Sequence, residues 1–203
     1  MLKYNIVETF YSIQGEGKFA GTSAYFIRFF GCNLACNFGN GFVCDDKAHS
    51  NKKLVVGYSI NELVNKAEIV GAKHIVLTGG EVSLGNVNPL IEALQDAGMF
   101  VQVETNGNNY EAIKSANYVT YSPKGAFDKD APVMLIFNEL KLLAGINKPV
   151  DANLWTQIEN KYVQPIGNEH SWDMDNVKYC IEFVKENPEW KLSLQTQKVM
   201  EVR

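Results

Sequence analysis

The sequence predicts an α/β fold whose strands form a mostly parallel sheet, either open or curled toward a partial barrel. Apolar β-type runs alternate with amphipathic helical segments, which is typical of consecutive βα units. The 203 residues, 46% of them hydrophobic and 21% charged, suit one globular domain spanning residues 1–203. A full eight-stranded barrel takes roughly 250 residues. An incomplete barrel, open on the substrate side, therefore fits the length.

The first predicted elements flank a segment that contains three cysteines. Residues 24–30 form an aromatic-rich β-type run that is closed by Gly31. The first helix begins at Ser59, which forms a capping box with Glu62, and it stops at Gly71. The face of this helix that we expect to be buried carries Leu63, Ala67 and Val70.

Strands and helices then alternate to the end of the chain. The remaining predicted strands are residues 74–78, 99–104, 118–121, 139–143, 161–165 and 191–194. The remaining predicted helices are residues 89–97, 110–115 and 173–186. In parallel sheets the working loops follow the carboxyl ends of the strands, so we expect the functional residues there.

The charge pattern excludes several function classes. The 19 basic and 23 acidic residues give a net charge of −4 and are scattered, so no basic stripe indicates nucleic-acid binding. The first five residues contain no apolar signal segment, and the most apolar stretch, residues 24–32, is too short to span a bilayer. We therefore expect a cytosolic protein with reduced thiols and a small-molecule substrate, and neither nucleic acid nor membrane as a partner.

Three of the four cysteines follow the first core strand, in the pattern Cys32-x3-Cys36-x7-Cys44. This segment, about residues 31–50, is called the cysteine loop below. Its asparagines, glycines and aspartates do not suit a buried core, whereas Cys180 on the last long helix does. Three clustered thiolates indicate metal binding. One alternative is a structural zinc with His49 as the fourth ligand; the other is an iron–sulfur cluster with three protein ligands and one open iron.

Polar motifs follow other predicted strands. In the segment 78–81, two glycines let the backbone approach a ligand, and Glu81 can accept hydrogen bonds from an ammonium group. Arg28 lies in an apolar strand and needs an anion, which is either a local carboxylate or a ligand. The Gln14 and Glu16 side chains, flanked by glycines, suit the donor edge of a guanine-like ring. Three further motifs are residues 104–107, 122–124 and 164–165. Each motif, taken alone, has residues that are typical of ordinary turns. Their placement at successive strand ends indicates that they belong to one site.

Taken in order, these motifs resemble a known family over nearly the whole chain. The chain is similar to the radical S-adenosylmethionine enzymes called 7-carboxy-7-deazaguanine synthases, which act in the queuosine precursor pathway. The segments that carry the resemblance are residues 10–17, 26–36, 77–81, 104–107, 122–125, 139–141, 164–165 and 192–198.

The resemblance implies an incomplete, TIM-like βα barrel of the radical S-adenosylmethionine type. It implies a carbon–nitrogen lyase that converts 6-carboxy-5,6,7,8-tetrahydropterin into 7-carboxy-7-deazaguanine and ammonia. The implied cofactors are a [4Fe–4S] cluster, S-adenosylmethionine and Mg2+, and the implied partners are an electron donor such as flavodoxin and a second copy of the chain. The cluster ligands would be Cys32, Cys36 and Cys44. The residues implied to bind S-adenosylmethionine are Gly80, Glu81, Ser122, Pro123, Lys124 and Gln164, and those implied to bind the pterin are Ile13, Gln14, Gly15, Arg28 and Thr78.

The sequence departs from the family pattern at three points. Extra residues separate Cys36 from Cys44, which costs little loop-closure entropy. Asp46 stands where the family has a threonine that binds Mg2+, so either Asp46 is the metal ligand instead or the metal site is altered. Gln197 replaces a family histidine. Two other functions stay open, namely an activase that makes a glycyl radical on a partner enzyme, and a non-catalytic zinc- or ligand-binding relative with the same fold.

Overall fold

The computed structural model describes residues 2–39, 41–124, 136–155 and 157–200. Two residues named above lie outside that part of the chain: Asn40 of the cysteine loop and Gly125 of the 122–125 motif.

Nine strands form one sheet, and two further strands form a separate hairpin. The strands are β1 (Lys3–Ile13), β2 (Ser23–Phe29), β3 (Asn37–Gly39), β4 (Phe42–Val43), β5 (Val56–Ser59), β6 (His74–Gly79), β7 (Phe100–Thr105), β8 (Tyr118–Tyr121), β9 (Glu139–Ala144), β10 (Lys161–Pro165) and β11 (Trp190–Leu192). The helices are α1 (Ile60–Ile69), α2 (Asn88–Asp96), α3 (Met174–Glu186) and α4 (Gln197–Met200).

The sheet is mostly parallel, as the sequence predicts. Its strand order is β11-β10-β9-β8-β7-β6-β2-β1-β5. Every neighbouring pair between β11 and β2 in that spatial order is parallel. Strand β1 pairs antiparallel with both β2 and β5. The carboxyl ends of the parallel strands therefore meet at one edge. That residues 1–203 form a single domain stays a prediction.

The capping box of α1 is confirmed. The Ser59 hydroxyl accepts a hydrogen bond from the Glu62 amide, and the Glu62 carboxylate accepts one from the Ser59 amide at 2.7 Å. The helix buries Leu63 and Ala67 completely. Val70, expected on the same face, is 41% exposed, because it follows the last helical residue and the chain already turns away there.

The structure differs from the sequence prediction at several elements. Residues 110–115 form only a short 3-10 helix, Tyr110–Ala112, and the last strand begins one residue earlier than expected and ends at Leu192. Strands β1 and β5 and the β3–β4 hairpin were not predicted. Among the described residues, no helix is long and apolar enough to cross a membrane.

The two faces of the parallel strands carry different chemistry. Successive strand residues point to opposite faces. One face carries apolar residues, such as Val101 and Val103 of β7, which pack in one core with residues of α1 and α2. The other face is polar and still buried: His74, Gln102, Thr120, Glu139, Lys141 and Gln164 are each at most 6% exposed. A polar face shielded from water is the inner surface of a curled sheet, and it is called the polar interior below.

Candidate active site

The cysteine loop leaves β2 at its carboxyl end. Gly31 has a φ of +92° there, and its amide donates to the His49 carbonyl at 2.8 Å. Strands β3 and β4 form a hairpin between Cys36 and Cys44, and the Cys44 amide donates to the Cys36 carbonyl at 3.3 Å. The residues that lengthen this loop are therefore taken up by the hairpin, which returns the third cysteine to the second.

The three thiols influence one another and lie near positive charge. Burial raises the pKa of Cys36, and the negative charge of Cys32 raises it further, while Lys124 and Lys148 lower it. Burial also raises the pKa of Cys44 to about 11, with smaller contributions from Asp45 and Cys36. The metal-free thiols of Cys36 and Cys44 are therefore protonated at neutral pH, and metal binding would release their protons.

The arrangement suits a cluster better than a single zinc ion. Within the described part of the chain, no group of three or more His, Cys, Asp or Glu side chains could hold one metal ion. His49, the expected fourth zinc ligand, contacts the Asp46 carbonyl through Nδ1. Each thiolate of a four-iron cluster binds a different iron, so the three sulfurs need not converge on one point. Three cysteines on one loop, with Cys36 near the charges of Lys124 and Lys148, thus fit such a cluster.

The glycines after β6 pack against the start of the cysteine loop. A Cβ on Gly79, whose φ is +122°, would lie 2.4 Å from the Phe29 carbonyl oxygen. A Cβ on Gly80 would lie 1.9 Å from the Gly31 carbonyl oxygen. The close approach that these glycines allow is therefore to protein backbone, whereas the sequence prediction assigned it to a ligand.

Glu81 joins the loops that follow β6 and β7. It is only 2% exposed, and its Oε1 accepts hydrogen bonds from the Ser83 amide, the Ser83 hydroxyl and the Thr105 hydroxyl at 2.9, 2.7 and 2.6 Å. Its Oε2 accepts one from the Asn106 amide at 2.7 Å. Most of the accepting capacity of this carboxylate is therefore already used within the protein.

The segment of residues 14–22 closes the opposite, amino-terminal end of the sheet and is called the plug segment. It follows β1, whose last residue Ile13 pairs with Ser23 at the start of β2. The Phe19 ring packs against His74, Phe100 and Tyr118, which begin β6, β7 and β8, with centroid distances of 4.9, 5.4 and 4.8 Å. Sequence reasoning did not place this segment, because its position depends on the antiparallel direction of β1.

The polar interior contains a buried ion-pair network. The Lys141 ammonium lies 2.6 Å from Glu16 Oε2 and 2.8 Å from Glu104 Oε2. Burial favours a neutral Glu16, but the charge of Lys141 and hydrogen bonds outweigh it and lower the pKa of Glu16 to about 2. At the start of β9, burial and the nearby charge of Glu104 raise the pKa of Glu139 to about 7. The network thus holds one permanently ionised carboxylate and one that titrates near neutrality.

The tail after β11 connects the plug segment with the cysteine loop. The Gln195 amide donates to Glu16 Oε1 at 3.0 Å and to Asp45 Oδ2 at 2.9 Å. Gln197 donates to Glu16 Oε1 at 3.1 Å, and its own buried Oε1 has no hydrogen-bond partner. A Cβ on Gly15 would lie 1.9 Å from that Oε1 atom, so a side chain at position 15 would require the end of the Gln197 side chain to move. The role of Gln195 could not be derived from the sequence pattern.

Arg28 is bound by two local carboxylates. Its Nε donates to Glu8 Oε1 at 2.7 Å and its Nη1 to Asp46 Oδ2 at 2.5 Å. Asp46 Oδ1 accepts from the His49 amide at 3.3 Å. Thr78 is the strand neighbour of Arg28 on the side away from β1. Of the two alternatives for Arg28, the structure therefore contains the local ion pair.

Comparisons with known proteins place the chain in a family. The chain is 31% identical to a 7-carboxy-7-deazaguanine synthase of Synechocystis over 100% of the chain and 95% of that protein. It is 34% identical to one of Bacteroides thetaiotaomicron over 98% of each chain. The chain belongs to the 7-carboxy-7-deazaguanine synthase family. No family model matches it. The crystal structure of QueE from Escherichia coli superimposes with a TM-score of 0.74 and 26% identity, covering 96% of this chain and 94% of that one.

The family assignment confirms the mixed α/β fold of the radical S-adenosylmethionine type and the class of enzyme, a radical S-adenosylmethionine lyase with a [4Fe–4S] cluster. The residues expected to bind the cofactor lie at one edge of the synthase sheet: Gly80 and Glu81 after β6, Ser122, Pro123 and Lys124 after β8, and Gln164 near the end of β10. Lys124 donates to the Ser122 hydroxyl at 2.6 Å, and Gln164 accepts from Ser193 at 2.9 Å. Their contacts with the cofactor stay predictions.

The magnesium site expected at Asp46 does not fit the structure. Mg2+ requires near-octahedral oxygen ligands. Oδ2 of Asp46 lies against a guanidinium nitrogen, Oδ1 accepts an amide hydrogen bond, and the backbone carbonyl contacts His49 and the Cys44 thiol. A cation already neutralises this carboxylate, and that cation is Arg28.

Proposed function

We propose that the protein converts 6-carboxy-5,6,7,8-tetrahydropterin into 7-carboxy-7-deazaguanine and ammonia, with S-adenosylmethionine and a [4Fe–4S] cluster. One observation carries the proposal: in a chain similar to the synthases over its full length, the tail joins the three-cysteine loop to the plug segment. We therefore expect the cofactor and substrate residues to belong to one connected site.

Cys32, Cys36 and Cys44 would hold the cluster. When bound, a cluster with one open iron supplies the one-electron chemistry by which radical S-adenosylmethionine enzymes begin their reactions. The chain contributes the three sulfurs and the nearby positive charges of Lys124 and Lys148, which offset thiolate charge. The tight contact of Gly80 with Gly31 sets the position of the loop against β6.

The S-adenosylmethionine would lie along the carboxyl edge, against Gly80, Glu81, Ser122, Pro123, Lys124 and Gln164. Burial lowers the pKa of Lys124, and the neighbouring Lys141 lowers it further. A ligand carboxylate beside Lys124 would restore the charged form, because it forms a charge-assisted hydrogen bond. Glu81 would act mainly by fixing the loop after β6 to the loop after β7, since its oxygens are used there.

The pterin would occupy the polar interior next to Ile13, Gln14, Gly15, Arg28 and Thr78. Gln14 is only 4% exposed, and its amide lies 3.5 Å from Glu104 Oε1. The ionised carboxylate of Glu16 suits ring N–H donors of a guanine-like ligand. The plug segment and the tail would exclude water from this side, which strengthens polar contacts inside.

Further expectations come only from the family resemblance. These are an external electron donor such as flavodoxin, a homodimer and a cytosolic location, whereas the Mg2+ that the family also implies does not fit at Asp46. Neither the glycyl-radical activase nor the non-catalytic zinc-binding alternative is favoured by the relatives, which are named as synthases.

The test is anaerobic turnover of the reconstituted protein with S-adenosylmethionine, a reductant and the carboxypterin, followed by mass spectrometry. We expect 7-carboxy-7-deazaguanine from the wild type and from Cys180→Ala, because Cys180 is a fully buried packing residue on α3. We expect none from Cys44→Ala. A loaded wild-type protein that makes no product, yet forms a stoichiometric glycyl radical on a partner protein, would contradict the proposal.

A further inference from the structure

The Arg28 guanidinium is shared by two carboxylates that come from different kinds of structure. Glu8 lies on β1 and is the register partner of Arg28 in the antiparallel pair with β2. Asp46 belongs to the cysteine loop, 18 residues from Arg28 along the chain. One positive charge therefore faces two negative charges. A third carboxylate added to this group would be repelled rather than bound.

The two carboxylates differ in how easily they can leave. Glu8 is part of strand β1, whose residues from Glu8 to Ile13 pair with β2. Asp46 is held by a short turn, through its contacts with His49. The Arg28 and Asp46 side chains are 22% and 17% exposed, so a ligand can reach the ion pair from solvent. The loop carboxylate is thus the one that a ligand can displace.

We propose that Asp46 occupies the place on Arg28 that the substrate carboxylate takes, so that the substrate binds by exchanging its carboxylate for that of Asp46. This rests on the proposed function, since it assigns the carboxylate of the carboxypterin to Arg28. The exchange makes Asp46 a residue that sets substrate affinity. It also removes the need for a divalent cation at Asp46, because Arg28 supplies the positive charge in both states.

The test is the dissociation constant of the carboxypterin, measured anaerobically by calorimetry on cluster-loaded protein without S-adenosylmethionine, in EDTA and again with excess Mg2+. The probes are 6-carboxy-5,6,7,8-tetrahydropterin and tetrahydropterin without the carboxylate. The variants are Asp46→Asn and Asp46→Thr, and Asp175→Asn is the control because it removes a carboxylate that is paired with a lysine on the exposed face of α3. Iron content and absorbance check that each variant keeps its loop.

We expect both Asp46 variants to bind the carboxypterin roughly fivefold more tightly than the wild type, because one partly exposed ion pair contributes about that much to affinity. We expect them to bind the probe without a carboxylate as the wild type does. We expect Asp175→Asn to change neither dissociation constant, and Mg2+ to leave wild-type binding unchanged. Equal or weaker binding by the Asp46 variants overturns the proposal. Mg2+ that tightens wild-type binding, with the effect lost in Asp46→Asn, also overturns it and makes Asp46 a metal ligand. A wild type that neither binds nor converts the carboxypterin refutes the proposed function instead.

Discussion

Replacing Lys141 with methionine should destabilise the protein strongly at neutral pH. The lysine is 5% exposed on β9, and its ammonium forms ion pairs of 2.6 and 2.8 Å with Glu16 and Glu104. Methionine keeps most of the side-chain length but leaves two adjacent carboxylates without a cation. Removing one partner of a buried pair costs about 3–5 kcal/mol. The carboxylates are 16% exposed, so we expect a loss of about 3 kcal/mol, the lower part of that range.

The assay is urea unfolding of cluster-free protein followed by circular dichroism. For a chain of this length, the expected loss corresponds to a Tm lowered by about 6–12 °C. Lys191→Met is the matched control, because Lys191 is exposed on β11 and contacts the Tyr162 ring, and it should cost no more than about 0.5 kcal/mol.

The pH dependence of the stability difference is a second measurement that tests the same prediction. In the variant, the unpaired carboxylates take up protons more readily, so the stability difference from wild type should shrink between pH 7.5 and pH 5. A loss below about 1 kcal/mol at pH 7.5, or a loss that does not change with pH, would show that the network contributes little to stability.

Three further substitutions test separate parts of the structure. Burial raises the pKa of Glu139 from 4.5 to about 7, so the wild type loses stability as the pH rises between these two values. Glu139→Gln should therefore gain up to about 3 kcal/mol relative to wild type over that range in urea unfolding. A flat difference would contradict this. Gly80→Ala places a Cβ against the Gly31 carbonyl, so it should lower the free energy of unfolding by about 1–3 kcal/mol and should lower iron loading. The control Gly85→Ala places a Cβ in open space and should change neither quantity. Ser59→Ala removes the cap of α1 and should lower stability by about 1 kcal/mol in thermal melts, and an unchanged Tm would count against the capping box.

Local sequence signals were sufficient for much of the fold. The largely apolar run of β6 is a buried strand because both faces are covered, and such a strand needs no strict alternation of apolar and polar residues. The start of α1 follows from two side chains three residues apart. Strand β1 could not be predicted in the same way, since its long antiparallel pairing with β2 depends on residues 10 to 23 positions away.

The candidate active site was likewise predictable from the sequence only in part. The cysteine spacing indicates a metal centre, but the hairpin that returns Cys44 to Cys36 depends on Gly39 and Gly41, which adopt φ values of +80° and +81°. The choice between a local and a ligand partner for Arg28 depends on strand register and on a loop contact, neither of which is encoded near Arg28. The contact of Gln195 with Glu16 joins positions 179 residues apart, and no local pattern indicates it.

Metal analysis of the anaerobically reconstituted protein tests most directly whether three of the four cysteines bind an iron–sulfur cluster. We expect about four irons and four sulfides per chain, with a reducible cluster seen by electron paramagnetic resonance, in the wild type and in Cys180→Ala. Cys32→Ala, Cys36→Ala and Cys44→Ala should each lose that signal. One tightly bound zinc per chain and no retained iron would contradict the assignment of these three cysteines to a cluster.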